Sequence, residues 1–165
     1  MFISADSKMR RLPEQACLSP ASALVPPARP TRHHSARSPL LPADPLKRAK
    51  VRAAAYVIAC DVHPVQNLRV MNRLKSQFGA DQDQAVEWNR HWIALGFATL
   101  EGQAPDQGLF GGASPNLADL CLVPQMANAR RFGLDLAPYP RLVRIDAALR
   151  EIPAFAAAAP EAVKN

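Results

Sequence analysis

Apolar residues recur at helical spacing along most of this chain, but only after about residue 38. Before that point no apolar period lasts long enough to build an element, and Pro13, Pro20, Pro26, Pro27 and Pro30 interrupt the chain. From residue 44 the pattern becomes regular. Asp44 suits an N-cap and Pro45 the first helical position, where its missing N–H costs nothing. Arg52, Ala55, Ile58, Ala59 and Val62 continue a long helix that Pro64 should kink or break. The pattern resumes to about Phe78, and Gly79 ends it. A second long helix is predicted over 83–103, with Val86, Ile93, Phe97 and Leu100 facing inward. Residues 104–115 are rich in Gly and Pro and read as a loop.

The next helix has its start written in. Asn116 can cap it, and Asp119, three residues on, can reach back to the cap's own N–H. Leu117, Leu120, Cys121, Pro124 and Ala127 fall roughly on one face, so that face is expected in the core, with a bend at Pro124. A further helix places Leu142, Ile145, Leu149 and Ile152 inside, and a short Ala-rich helix over 153–159 closes the series. The fold class predicted is all-α, a bundle of about five helices behind a disordered leader.

Composition narrows the picture in two places. With 165 residues, 48% hydrophobic, there is room for one domain. No apolar run approaches the roughly 18–20 residues that cross a bilayer, so no membrane role is expected. The net charge of +6 belongs to the front of the chain: residues 1–50 hold nine Lys and Arg against three Asp and Glu, and residues 51–165 hold eleven of each. Arg29, Arg32 and Arg37 in an acid-poor, Ser-containing stretch would suit a transit peptide. No aromatic residues interleave them to stack bases, so nucleic acid is not an expected partner. Cys17, Cys60 and Cys121 have no metal-like spacing, and the last two lie in apolar helical patterns. They read as buried thiols of a reducing, cytoplasmic protein, with no metal site. The glycines of the 104–115 loop make no phosphate-binding loop, because no strand precedes them and no Lys follows.

Several segments carry a resemblance. They are the run Asn116-Leu117-Ala118-Asp119-Leu120-Cys121-Leu122-Val123-Pro124-Gln125, continuing to Asn128-Ala129-Arg130-Arg131-Phe132, and Ile58-Ala59-Cys60-Asp61-Val62-His63-Pro64-Val65-Gln66-Asn67-Leu68-Arg69-Val70. Trp88-Asn89-Arg90-His91-Trp92-Ile93, Gly96-Phe97-Ala98-Thr99-Leu100-Glu101 and Leu136-Ala137-Pro138-Tyr139-Pro140 follow in order. Together they resemble the C-terminal domain of zeta-class glutathione transferases, the maleylacetoacetate and maleylpyruvate isomerases, over about residues 39–160. The layout implied is a leader at 1–38, the helical domain at 39–160 and a tail at 161–165. Where the family usually has a Gly-Asp step before the cap, this chain has Gly112-Ala113-Ser114, a departure confined to a surface turn.

The resemblance implies roles. His63, Gln66, Asn67, Leu68 and Arg69 would lie on the glutathione side of the interdomain cleft. Arg131 would hold a substrate carboxylate, with Arg69 a plausible second clamp and Arg130 turned to solvent. Trp88 and Trp92, four apart, would stack in the core, and His91 would be solvated. The family's chemistry is cis–trans isomerisation: the glutathione thiolate adds to a double bond, the bond rotates, and elimination follows. The substrate is a small dicarboxylic enol or keto acid, and maleylacetoacetate and maleylpyruvate stay equally open. A homodimer is compatible with the family. The thiolate-stabilising Ser-Ser-Cys of the family's thioredoxin-like domain has no counterpart in residues 1–38. No catalytic residue is therefore expected in this chain, glutathione binding should be weak or absent, and the chain should be inactive alone. The alternatives are a non-enzymatic helical interaction module or truncated remnant, or a surface or nucleic-acid binder working through the basic leader.

Overall fold

The computed structural model describes residues 40–159 and Ala162; the leader at 1–38 with its Cys17, and most of the tail at 161–165, lie outside the described residues. Six α-helices follow one another with no strand among the described residues: α1 (Pro45–Tyr56), α2 (Leu68–Phe78), α3 (Gln82–Gln103), α4 (Leu117–Arg131), α5 (Pro140–Arg150) and α6 (Pro153–Ala157). None of them is long and apolar enough to cross a membrane.

The long first helix breaks near Pro64. Asp44 caps α1 by accepting from the Lys47 N–H at 2.7 Å. The chain then widens into a π-helical segment, Val57–Val62, in which the His63 N–H donates to the Ile58 carbonyl five residues back at 2.8 Å. Pro64, which has no N–H to donate, opens a 3-10 turn, Pro64–Gln66. Asn67 restarts the helix, its Oδ1 accepting from the Arg69 N–H at 3.1 Å. The turn is packed closely: a Cβ on Gly96 of α3 would overlap the Val62 side chain, so only glycine admits this approach.

The start of α3 holds a capping box that the sequence reading passed over. Asp81 accepts from the Gln84 N–H at 2.8 Å while the Gln84 side chain accepts from the Asp81 N–H at 2.9 Å. Ile93, Phe97 and Leu100 of α3 are fully buried, but Val86 is only half-buried. They meet Ile58 and Val62 of the π segment, Leu122 and Met126 of α4, and Leu142, Ile145 and Leu149 of α5 in one core. Ile152 and Phe155 pack on its edge.

In α4 the buried face differs from the one expected. Ala118, Asp119, Leu122, Gln125, Met126 and Ala129 are buried, whereas Leu120 and Pro124 are exposed and Leu117, Cys121 and Ala127 are half-buried. The helix carries two apolar stripes, and α1 and α5 pack on the one that also holds Asp119 and Gln125. Those two polar residues disguise the core stripe in the sequence. The expected burial of both described thiols is also corrected: Cys60 is exposed on the π segment and Cys121 is half-buried. Burial raises the Cys121 thiol pKa.

Candidate functional site

Two stretches hold the candidate residues, the broken segment at 63–69 and the far end of α4. His63 is exposed at the end of the π segment. Gln66 is half-buried, and its Oε1 accepts from the Nε2 of buried Gln125 at 3.2 Å, which ties the 3-10 turn to α4. Its own Nε2 is buried with no hydrogen-bond partner among the described residues. Asn67 is exposed and spends its oxygen on capping α2. Leu68 is 72% exposed, an uncovered apolar side chain. Arg69 is exposed and has no carboxylate partner among the described residues.

Arg131 sits in the last turn of α4, exposed, with its guanidinium 4.7 Å above the centre of the Phe132 ring. It lies six positions beyond Gln125, about 9 Å along the helix axis. Arg69 and Arg131 share no bonding partner. Arg130, expected to face solvent, is exposed and also reaches α5: its Nη2 lies 2.5 Å from Oδ2 of buried Asp146. Its stem remains partly exposed, but its charge is committed. The single acid inside the Leu142, Ile145 and Leu149 stripe was the sequence signal for that pair.

The two tryptophans stand edge to face, with centroids 5.7 Å apart, and both are half-buried. Trp88 Nε1 donates to the Val65 carbonyl at 3.0 Å, so its ring braces the 3-10 turn. His91 is exposed and meets Trp92 edge-on. Arg90, between them in sequence, was not singled out beforehand; its Nε donates to the Phe132 carbonyl at 2.6 Å.

The start of α4 is held from both sides. Asn116 Oδ1 accepts from the N–H groups of Ala118 and Asp119 at 2.8 and 3.2 Å. The Asp119 carboxylate accepts from Asn116 N–H at 2.9 Å and from Phe110 and Gly111 N–H at 3.0 Å each. Burial pushes the Asp119 carboxyl above its ordinary range, and the three N–H donors pull against that rise. Asp119 therefore fastens the 104–115 loop to the helix and is a structural group.

Leu120, Val123, Pro124 and Ala127 line an open apolar cavity of about 1060 Å³, together with Arg150 and Phe155. Leu120, Pro124, Ala127 and Arg131 stand at helical spacing, so the cation ends the same stripe.

No family model matches the chain. A maleylpyruvate isomerase from Ralstonia sp is 45% identical over 127 residues, 74% of this chain and 60% of that protein. The crystal structure of a glutathione S-transferase from Legionella pneumophila superposes with a TM-score of 0.73 at 45% identity, over 76% of this chain and 69% of its own. A holo maleylpyruvate isomerase described as a bacterial transferase of the zeta class matches with a TM-score of 0.73 at 44% identity, over 76% and 61%. The chain spans between 48% and 60% of the length of the curated relatives it matches. With sequence and fold in agreement, the chain belongs to the zeta-class glutathione transferases, the maleylacetoacetate and maleylpyruvate isomerases, and its described residues correspond to that family's C-terminal helical domain.

Proposed function

We propose that the helical domain is the substrate-side half of a glutathione-dependent cis–trans isomerase acting on a small unsaturated dicarboxylic acid. The observation that carries the reading is the contrast between two adjacent arginines. Asp146 engages Arg130, while Arg131 is exposed and without a carboxylate partner among the described residues. A guanidinium so presented can take a carboxylate through two parallel N–H bonds, which fixes orientation as well as charge. Support comes from a maleylacetoacetate isomerase of Methylobacterium extorquens AM1, 33% identical with a TM-score of 0.73 over 77% of this chain and 61% of its own, which was solved with malonate and GSH bound.

Glutathione fits the 63–69 segment in part. The unpartnered Gln66 donor and the free Arg69 cation suit acceptor oxygens of a peptide carboxylate. His63 and the uncovered Leu68 would border it, and Asn67 would orient the segment through its cap. Bound glutathione would supply a thiol nucleophile. Activation of that thiol as thiolate is assigned to the other half, and the helical domain binds and orients substrate. The apolar stripe of Leu120, Val123, Pro124 and Ala127 is the seat for a thioredoxin-like half, which would close the site above Arg131. Free Cys60 and Cys121 are in keeping with a cytoplasmic setting.

The reading is tested in a complex with a relative's thioredoxin-like half. Arg131→Ala lowers turnover more than Arg130→Ala when both are compared at equal folded fraction. Equal losses would remove the reason for choosing Arg131. The alternative, a non-enzymatic helical binding module, would show as ligand binding without turnover in that complex.

A further inference from the structure

The end of α4 is fixed by more bonds than a helix terminus needs. Gly133, at φ 65°, closes a Schellman motif: its N–H donates to Arg130 O at 3.0 Å, and the Leu134 N–H donates to Ala129 O at 2.9 Å. Those bonds leave the Phe132 carbonyl over. Arg90 of α3 takes it with its Nε at 2.6 Å, a half-buried cation placed at the negative end of the helix dipole. Arg90 has no carboxylate partner among the described residues. Its Nη2 lies 3.0 Å from where a Cβ on residue 133 would stand, so the guanidinium fills the space that glycine leaves. On the other side of the same residue, the Phe132 ring lies under the Arg131 guanidinium at 4.7 Å.

We infer that Arg90 is a positioning residue for Arg131: by pinning the Phe132 carbonyl it holds the Phe132 ring beneath the Arg131 guanidinium, and so sets where that guanidinium meets a ligand carboxylate. The inference rests on the reading of Arg131 as the carboxylate-binding group. Three features support the link. Arg130 is withdrawn by Asp146, so only Arg131 is presented. Phe132 meets both arginines, Arg90 at its backbone carbonyl and Arg131 at its ring. An exposed arginine without such a platform would sample many rotamers and lose more freedom on binding.

The test uses the isotopically labelled 165-residue chain and malonate as the probe, with the Arg131 Nε–H and Phe132 amide signals followed by NMR. In the parent chain malonate shifts the Arg131 signal saturably. Arg90→Met weakens malonate about three- to tenfold, in the lower part of the range of coupling between residues in contact. Arg90→Lys recovers most of the loss. Phe132→Leu keeps the carbonyl and removes the ring, and it weakens malonate to a similar degree; it decides the matter if Arg90→Met does not fold. Arg144→Met is the control, because Arg144 likewise anchors carbonyls, those of Gly108 and Pro105 at 2.6 and 2.7 Å, and it leaves malonate affinity at the parent value. Parent-like affinity in Arg90→Met or Phe132→Leu, or an equal loss in Arg144→Met, overturns the positioning role while the reading of Arg131 stands. Failure of malonate to shift Arg131 in the parent chain overturns both.

Discussion

Arg130 and Asp146 join the last turn of α4 to the middle of α5 through a 2.5 Å contact between Nη2 and Oδ2. Asp146 is wholly buried, and its other oxygen has no hydrogen-bond partner among the described residues. Truncating Arg130 therefore strands a buried carboxylate. We predict that Arg130→Ala lowers stability by about 1.5–3 kcal/mol, the range for hydrogen bonds to charged groups; the 38% exposure of the Arg130 side chain keeps the cost below that of a fully buried pair. Arg131→Ala, on the surface, stays within about 0.5 kcal/mol. Urea unfolding of the two variants checks the contrast, and equal midpoints would contradict it.

The cap of α4 gives a second prediction. Asn116→Ala costs about 0.5–2 kcal/mol, as for other N-caps. Asp119→Ala costs more, about 2–4 kcal/mol: it leaves the buried Asn116 N–H without its acceptor, at about 1–3 kcal/mol, and releases the N–H groups of Phe110 and Gly111, which are more open to water and add less. Amide exchange at Phe110 and Gly111 should speed up in Asp119→Ala and change little in Asn116→Ala.

Asp119 also gives a pH dependence with a definite sign. Burial raises its carboxyl pKa in the folded chain above the ordinary value of 3.8. The folded chain then holds that proton more tightly than the unfolded chain does. The contribution to stability is full below the ordinary value and declines as pH rises through the raised one. The stability difference between the parent and Asp119→Asn should therefore shrink as pH is raised from about 4. A difference that grows over the same interval would mean that the three N–H donors outweigh burial.

Most of the helices were legible because their ends are local chemistry. Asp44 before Pro45, Gly79 after Phe78 and Asn116 three before Asp119 mark boundaries that need no tertiary information. What failed to show was which surface meets which. In α4 the stripe chosen from its leucines is the one that walls the cavity, and the buried stripe includes Asp119 and Gln125, polar residues satisfied by partners far along the chain or in the preceding loop. The cap of α5 was equally hidden: the Glu101 carboxylate of α3 accepts from Arg141 and Leu142 N–H at 2.9 and 3.0 Å, across forty positions of sequence. At the candidate site, motif likeness singled out Arg131 and the 63–69 segment. The engagement of Arg130 by Asp146 and the anchoring of Phe132 by Arg90 depend on helix packing that spacing along one chain does not encode.

The most direct measurement is an assay of the purified 165-residue chain with glutathione and maleylacetoacetate, alone and with a separately expressed thioredoxin-like half of a relative. On the proposed reading the domain offers Arg131 to a substrate carboxylate and leaves the thiolate to the other half. It should therefore give no turnover alone and gain glutathione-dependent isomerisation when the other half is supplied. Turnover by the chain alone at rates typical of the intact relatives would contradict the account, as would no activity from a demonstrably assembled complex.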